Sequence, residues 1–233
     1  MLSETIARKA LDAALSTGGD FAEIFMEDRR NHSLLLQSDR LESVNSGRLH
    51  GAGVRVYNGL SAVYAYTNDT DEDGLLRCAR QAASAIRAQA RGSAAAKPFS
   101  VLTVKDIHPV RMRPSETDAR RKADALRAAN AAARSAGSEI SQVVCSYSDS
   151  EQDVLICNSD GLFARDRRTY SRMGCQAVAA NGTENQMAYE APGALRGFEH
   201  FLDAIDPAAV GKAAGEAAVK MLRDKRATGE MRK

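Results

Sequence analysis

Tryptophan is absent from the 233 residues, and aromatic residues of all kinds make up 5% of them. A surplus of charge of one sign is also missing: 32 basic against 30 acidic side chains leave a net charge of +2. Basic clusters do occur, as "DRR" at 28–30, "RRK" at 120–122 and "RDRR" at 165–168, but acids are interleaved with them. A nucleic-acid-binding surface shows a purer basic stripe, so DNA or RNA is not the expected partner. No apolar run reaches the roughly 20 residues that span a bilayer, so no membrane segment is expected. Glu4, Arg8, Lys9 and Asp12 interrupt the apolar positions at the start, unlike a secretory signal. The four cysteines (Cys78, Cys145, Cys157 and Cys175) show no CxxC spacing. They read as small buried hydrophobes in a reducing cytoplasm, where the sequons at Asn31, Asn68 and Asn181 are accidental.

Sites of known chemistry are equally scarce. His32, His50, His108 and His200 are isolated from one another, and no HExxH occurs. Zinc needs three or four converging ligands, so no metal or cofactor site is expected in this chain. There is no GxSxG, and no cysteine has a local context that would lower its pKa. "GRLHGAG" at 47–53 lacks the Lys-Ser/Thr of a phosphate loop and enters a strand, so its glycines read as a bend. Glu184 and Glu190 flank a turn and read as solvated strand carboxylates. No catalytic residue is assigned.

What is present is a folded pattern of 44% hydrophobic and 27% charged residues. Ser3 caps a helix to Leu15, with Ile6, Ala10, Leu11, Ala14 and Leu15 as its apolar stripe. Short strands at 21–28, 32–37 and about 41–46 form a meander, followed by a hairpin in "GVRVYNGLSAVYAYTN" at 53–68. Asp71 caps a helix to about Ala90. Residues 91–114, with three prolines, read as a linker between sub-units of about 1–90 and 115–225. Beyond it the order recurs: a helix over 115–137, strands at 140–147, 153–157 and 162–180, an Asn-Gly hairpin at 181–182, and a helix over 207–223. "SETDARRKADAL" echoes "SETIARKALDAAL", and "NSDGL" echoes "QSDRL". Duplication and chance both remain open. The fold class is α+β: antiparallel sheets with packed helices, which the duplication reading makes a repeated helix–meander–hairpin–helix unit.

The hairpin is the most legible stretch. Asn58-Gly59 suits a type I′ turn, which would pair Tyr57 with Leu60 and Arg55 with Ala62. Alternation then puts Val54, Val56, Val63 and Ala65 on one face, and Arg55, Tyr57, Leu60, Tyr64 and Tyr66 on the other. The first face suits packing under helices. The second reads either as a half-exposed sheet face or as a surface that meets a partner or peptide.

"ALSTGGDFAEIFMEDRR", "GAGVRVYNGLSAVYAYTNDT", "EISQVVCSYSDSEQDVLICNSDGLFARDRR" and "APGALRGFEHF" resemble the N-terminal half of the TldD/PmbA family, and its TldD branch above all. The resemblance is collinear over nearly the whole chain. It implies a cytoplasmic zinc metallopeptidase that works with a TldE (PmbA) subunit on small unfolded peptides. The family also carries the older label of modulator of DNA gyrase. Its HExxxH zinc motif follows the segment matched here, so no ligand or catalytic glutamate is carried onto this sequence. The resemblance therefore implies an inactive N-terminal piece without the C-terminal metal-binding half, shaping a peptide chamber. The Tyr/Arg face would meet the missing half, the partner subunit or an extended peptide, or associate with a second copy. The alternatives are a standalone module that regulates a TldD/TldE partner, and a gyrase- or DNA-binding protein, which the near-neutral charge disfavours.

Overall fold

The computed structural model describes residues 2–86, 94–103 and 105–224. Helix α1 spans Glu4–Leu15, with the Ser3 hydroxyl accepting from the Ile6 N–H. Strands β1 (Phe21–Gln37), β2 (Arg40–Asn58) and β3 (Ser61–Thr67) follow, then α2 (Glu72–Ala85), capped by Asp71. After β4 (Ser100–Leu102) comes a short 3-10 turn at Pro114–Glu116. The second half holds α3 (Ala119–Arg134), β5 (Ile140–Asn158), β6 (Leu162–Ala180), β7 (Asn185–Glu190) and β8 (Gly193–Ala194). It closes with α4 (His200–Asp203) and α5 (Pro207–Arg223). The strands order β3-β2-β1-β5-β6-β4, with β7 and β8 also paired to β6. The α+β expectation holds, and helix, two long strands, short strand and helix occur twice in order. Among the described residues no helix is long and apolar enough to cross a membrane.

Several expectations need correction. The strands expected at 21–28 and 32–37 are one strand, as are those at 140–147 and 153–157. β2 continues unbroken through 47–53, and none of the glycines there has a positive φ. The 91–114 stretch is not only a linker: β4 pairs in parallel with Leu162–Ala164 of β6. The second Ser-Glu-Thr does not cap α3. Asp118 does, while the Ser115 N–H is held by Glu151. His200 opens α4 instead of lying in a loop. The expected end of α2 near Ala90 lies outside the described residues.

The residues gather into two compact units whose segments alternate along the chain. Unit 1 comprises residues 1–30, 48–107 and 152–168, and unit 2 comprises 31–47, 108–151 and 169–233. Each of the four long strands contributes to both. In unit 1, α1 buries Ala7, Ala10, Leu11, Ala14 and Leu15, and α2 buries Leu75, Cys78, Ala79 and Ala82, with helical spacing. They share a core with Ile24, Val54, Val56, Leu155, Cys157 and Phe163. In unit 2, Ala123, Leu126, Ala129 and Ala133 of α3 and Val210, Ala214, Ala218 and Leu222 of α5 pack with Val143, Tyr147, Met173 and Phe198.

The hairpin turn lies one residue further along the chain than expected, which shifts the pairing by two. Asn58 pairs with Ser61, Arg55 with Tyr64 and Gly53 with Tyr66, so Gly59-Leu60 is the two-residue loop. Gly59 has φ 59°, and no positive φ occurs at Asn58 or Leu60. A positive φ at the first central position alone is the type II′ pattern, not the expected I′. The slip moves each partner by two residues, so the face assignments survive it. The Gly59 N–H donates to Asp20 Oδ2 at 2.7 Å. A side chain at Gly59 would meet nothing within 4 Å, so substitution acts through backbone strain alone. Gly59→Val is expected to cost about 1–2 kcal/mol, seen as a lower melting temperature. An unchanged melt would mean the left-handed conformation is not required.

Candidate partner surface and adjoining cleft

Of the five residues expected on one face, three cluster in the structure. Tyr64 and Tyr66 are 52% and 81% exposed, with rings stacked at 6.5 Å and 29°. The Arg55 guanidinium lies 5.4 Å from the Tyr64 ring centre, a cation–π contact, and 3.9 Å from Glu23. These three residues form one surface. Tyr57 packs on Phe21, with ring centres 5.8 Å apart, and is half-buried. Leu60 projects from the turn at 107% exposure. On the opposite face Val54 and Val56 are fully buried in the unit 1 core, as alternation requires.

Tyr64 is held by a glycine. A Cβ on Gly53 would overlap the Tyr64 ring, so the absent side chain is what lets the ring lie across the strand. Unit 2 repeats the device on its own hairpin: a Cβ on Gly174 of β6 would come within 2.5 Å of Tyr189 Oη on β7. In both hairpins the tyrosine sits on the short strand, two residues along the register from the glycine it covers. Tyr64 and Tyr66 also wall a groove of about 610 Å³ with Phe25, Leu49, His50 and Ala52.

Beside this groove, wholly within unit 1, is a cleft of about 540 Å³ that no sequence pattern singled out. Leu2, Ile6, Met26, Val154 and Leu155 supply apolar lining. Its polar lining includes Asp28, Arg48 and His50, which alternation puts on facing positions of β1 and β2. Arg48 donates to both carboxylate oxygens of Asp28, at 2.8 and 2.6 Å. That fork holds the Asp28 carboxyl below its usual range, against the opposing effect of burial. His50 Nε2 lies 2.7 Å from Thr70 Oγ1, while its buried Nδ1 has no hydrogen-bond partner and stands 3.8 Å from Asp28. The signal was present in "GRLHGAG", where Arg48 and His50 alternate, and in "RDRR" at 165–168. Their partners, however, come from distant segments.

Among the described residues, no three His, Cys, Asp or Glu side chains are grouped so as to hold a metal ion. All four cysteines are buried. Burial pushes the Cys157 thiol up to about 12 and raises that of Cys78, which suppresses the reactive thiolate. Cys145 Sγ lies 3.3 Å from Cys175 Sγ, a contact that raises the Cys145 thiol further. Glu184 and Glu190 are exposed.

Residues 22–86 match the PmbA/TldA metallopeptidase domain 1, and residues 113–222 match the PmbA/TldA metallopeptidase central domain. Together they cover three quarters of the chain, in the family's order. The chain belongs to the PmbA/TldD family. A metalloprotease of Methanothermobacter thermautotrophicus is 27% identical over 205 residues, which is 88% of this chain and 44% of that protein. A TldD-homologue metalloprotease of Buchnera aphidicola is 24% identical over 198 residues, covering 84% and 40%. The chain thus spans less than half the length of the curated relatives it matches. A crystal structure described as a modulator of DNA gyrase, from Bacteroides thetaiotaomicron, superposes with a TM-score of 0.75 at 18% identity. It covers 97% of this PmbA/TldD chain and 52% of that one. TldE from Thermococcus kodakarensis superposes with a TM-score of 0.65 at 12% identity, covering 92% and 47%. At these identities the likeness is one of fold.

Proposed function

We propose that this chain is the non-catalytic N-terminal part of a TldD-type zinc metallopeptidase that processes or degrades small unfolded peptides in the cytoplasm. Its role is to shape the substrate chamber and to hold subunits together. The observation that carries this reading is the collinear match to the first and central domains of a metallopeptidase family. The zinc and its ligands would come from the C-terminal half, and the partner would be a TldE-type subunit. The stacked Tyr64–Tyr66 face with Arg55 suits such an interface, since exposed, pre-stacked aromatics lose little side-chain entropy on docking.

Reconstitution tests this reading. Peptide cleavage is expected to be absent when zinc is added to this chain alone. It should appear when the metal-bearing half and a TldE-type subunit are supplied. Changing Tyr64 and Tyr66 to Ser should weaken assembly, and also any self-association of the isolated chain seen by sedimentation. Chelator-sensitive cleavage by this chain alone would refute the assignment. Full assembly by the double Ser variant would remove the tyrosine face from it.

A further inference from the structure

Strand β3 ends the sheet on the unit 1 side, and its free edge carries an inference that does not rest on the family reading. Among the described residues β2 is the strand it pairs with, and no other follows. Natural sheets guard such edges with charge, proline, a bulge or a very short strand. β4, at the other end of the strand order, is three residues long. β3 has no such guard. Its seven residues, "SAVYAYT", hold neither a charge nor a proline, and they pair one-to-one with β2 without a bulge. The register fixes which backbone groups are free. Asn58 and Ser61 flank the two-residue loop and therefore exchange hydrogen bonds. Alternation from there directs the N–H and C=O of Ser61, Val63 and Ala65 at β2, and those of Ala62, Tyr64 and Tyr66 outward. Tyr57, opposite Ala62, has the matching phase: its carbonyl accepts from the Asp20 N–H at 2.9 Å, on the β1 side. The Tyr64 ring lies inward over Gly53, so it does not screen the edge.

We propose that β3 pairs antiparallel with β3 of a second copy of this chain, about a two-fold axis at Tyr64, joining the two sheets edge to edge. The outward set maps onto itself about that axis. Tyr64 faces its own counterpart, and Ala62 faces the counterpart of Tyr66, so every outward residue meets an outward residue. Each such pair exchanges two backbone hydrogen bonds. The side chains match in size as well. Small Ala62 stands beside large Tyr66 on one face, and Val63 stands beside Ala65 on the other. No like charges are brought together, because the strand carries none. A contact of this kind is isologous, so it closes at two copies and does not propagate into a fibre.

The test is amide hydrogen exchange on the 233-residue chain, with sedimentation of the same samples. One strand pair is a small interface, so the dimer is expected to dissociate in the range of about 1–100 μM. Above that range the Ala62, Tyr64 and Tyr66 amides should exchange at least about tenfold more slowly than in dilute samples. The Val63 and Ala65 amides, held by β2, should be protected at both concentrations. Ala62→Pro removes an outward donor and no donor to β2, at an exposed edge position where proline is tolerated. It should weaken the dimer at least about tenfold and leave the melting curve of dilute protein unchanged. A chain that stays monomeric at about ten times the upper end of that range would overturn the proposal. A dimer in which the Ala62, Tyr64 and Tyr66 amides exchange as in the monomer would also overturn it, because the contact would then lie on another surface, such as the tyrosine face. Undiminished dimerisation of a folded Ala62→Pro protein would do the same. Each readout is of this chain alone, so failure leaves the reconstitution result untouched.

Discussion

Replacing Lys122 with Met is expected to destabilise the protein by about 3–5 kcal/mol. Lys122 belongs to the buried stripe of α3, and its side chain is 3% exposed. Nζ reaches Asp149 Oδ2 at 2.7 Å and the Pro114 carbonyl at 2.8 Å, and lies 5.2 Å from the Tyr147 ring centre. The Asp149 carboxylate is fully buried, and its other oxygen meets His32 Nδ1 at 2.7 Å. Removing the ammonium leaves that carboxylate with His32 alone in a low-dielectric core, where an uncompensated charge is costly. Removing both charges, as Lys122→Met with Asp149→Leu, should recover most of the loss, because the pair as a whole contributes little against an apolar replacement. Urea unfolding of the two variants checks this. A single variant within about 1 kcal/mol of the parent would show that the buried pair is not needed for stability.

A smaller loss is expected where α3 meets α5. A Cβ on Gly211 would overlap the Ala129 carbonyl, and one on Gly215 would come within 2.5 Å of the Ala133 carbonyl. Both neighbours are helix backbone, which cannot rotate aside as a side chain can. Glycine is a poor helix former, so Gly211→Ala gains about 1 kcal/mol of helix propensity. It also drives the two helices apart, and overpacking costs about 1–3 kcal/mol, near the upper end where the neighbour is rigid. The net expectation is a loss of about 2 kcal/mol. Gly47→Ala is the control: a Cβ there meets nothing within 4 Å, so no loss is expected. A Gly211→Ala protein more stable than its parent would show that the close approach of the helices is not tight.

How far the sequence was legible depended on the range of the interactions. Ser3 and Asp71 cap their helices as expected, because a cap is decided within three residues. Ser115 is not a cap because it lies within the Pro114–Glu116 3-10 turn, and Asp118, directly before Ala119, takes that place; the turn itself is tied by the distant Glu151, which no local rule sees. Strand β1 looked divided because "EDRRNH" in its middle is polar on both faces, and alternation is silent where neither face is buried; β5 looked divided because its buried positions there carry Asp149 and Glu151, which a hydrophobic pattern reads as surface. The hairpin faces were readable from alternation, but the register was not, since Asn58 and Gly59 suit both turn types. Tyr64 and Tyr66 were found because aromatic spacing within one strand is visible. The cleft was missed because Leu2, Asp28, His50, Thr70 and Arg165 are far apart in the chain.

The interleaving of the two units bears on how the chain is made. Unit 1 contains residues 152–168, and Leu155, Cys157 and Phe163 from that stretch are part of its core. A ribosome that has released only the first 107 residues has therefore produced a unit still missing three core side chains. Meanwhile residues 31–47, including Leu34 and Leu36, wait for a core whose helices have yet to be synthesised. Separate domains fold in order as they emerge. Here the first unit cannot close until residue 168 has emerged, by which point helix α3 and strand β5 of the second have already been made.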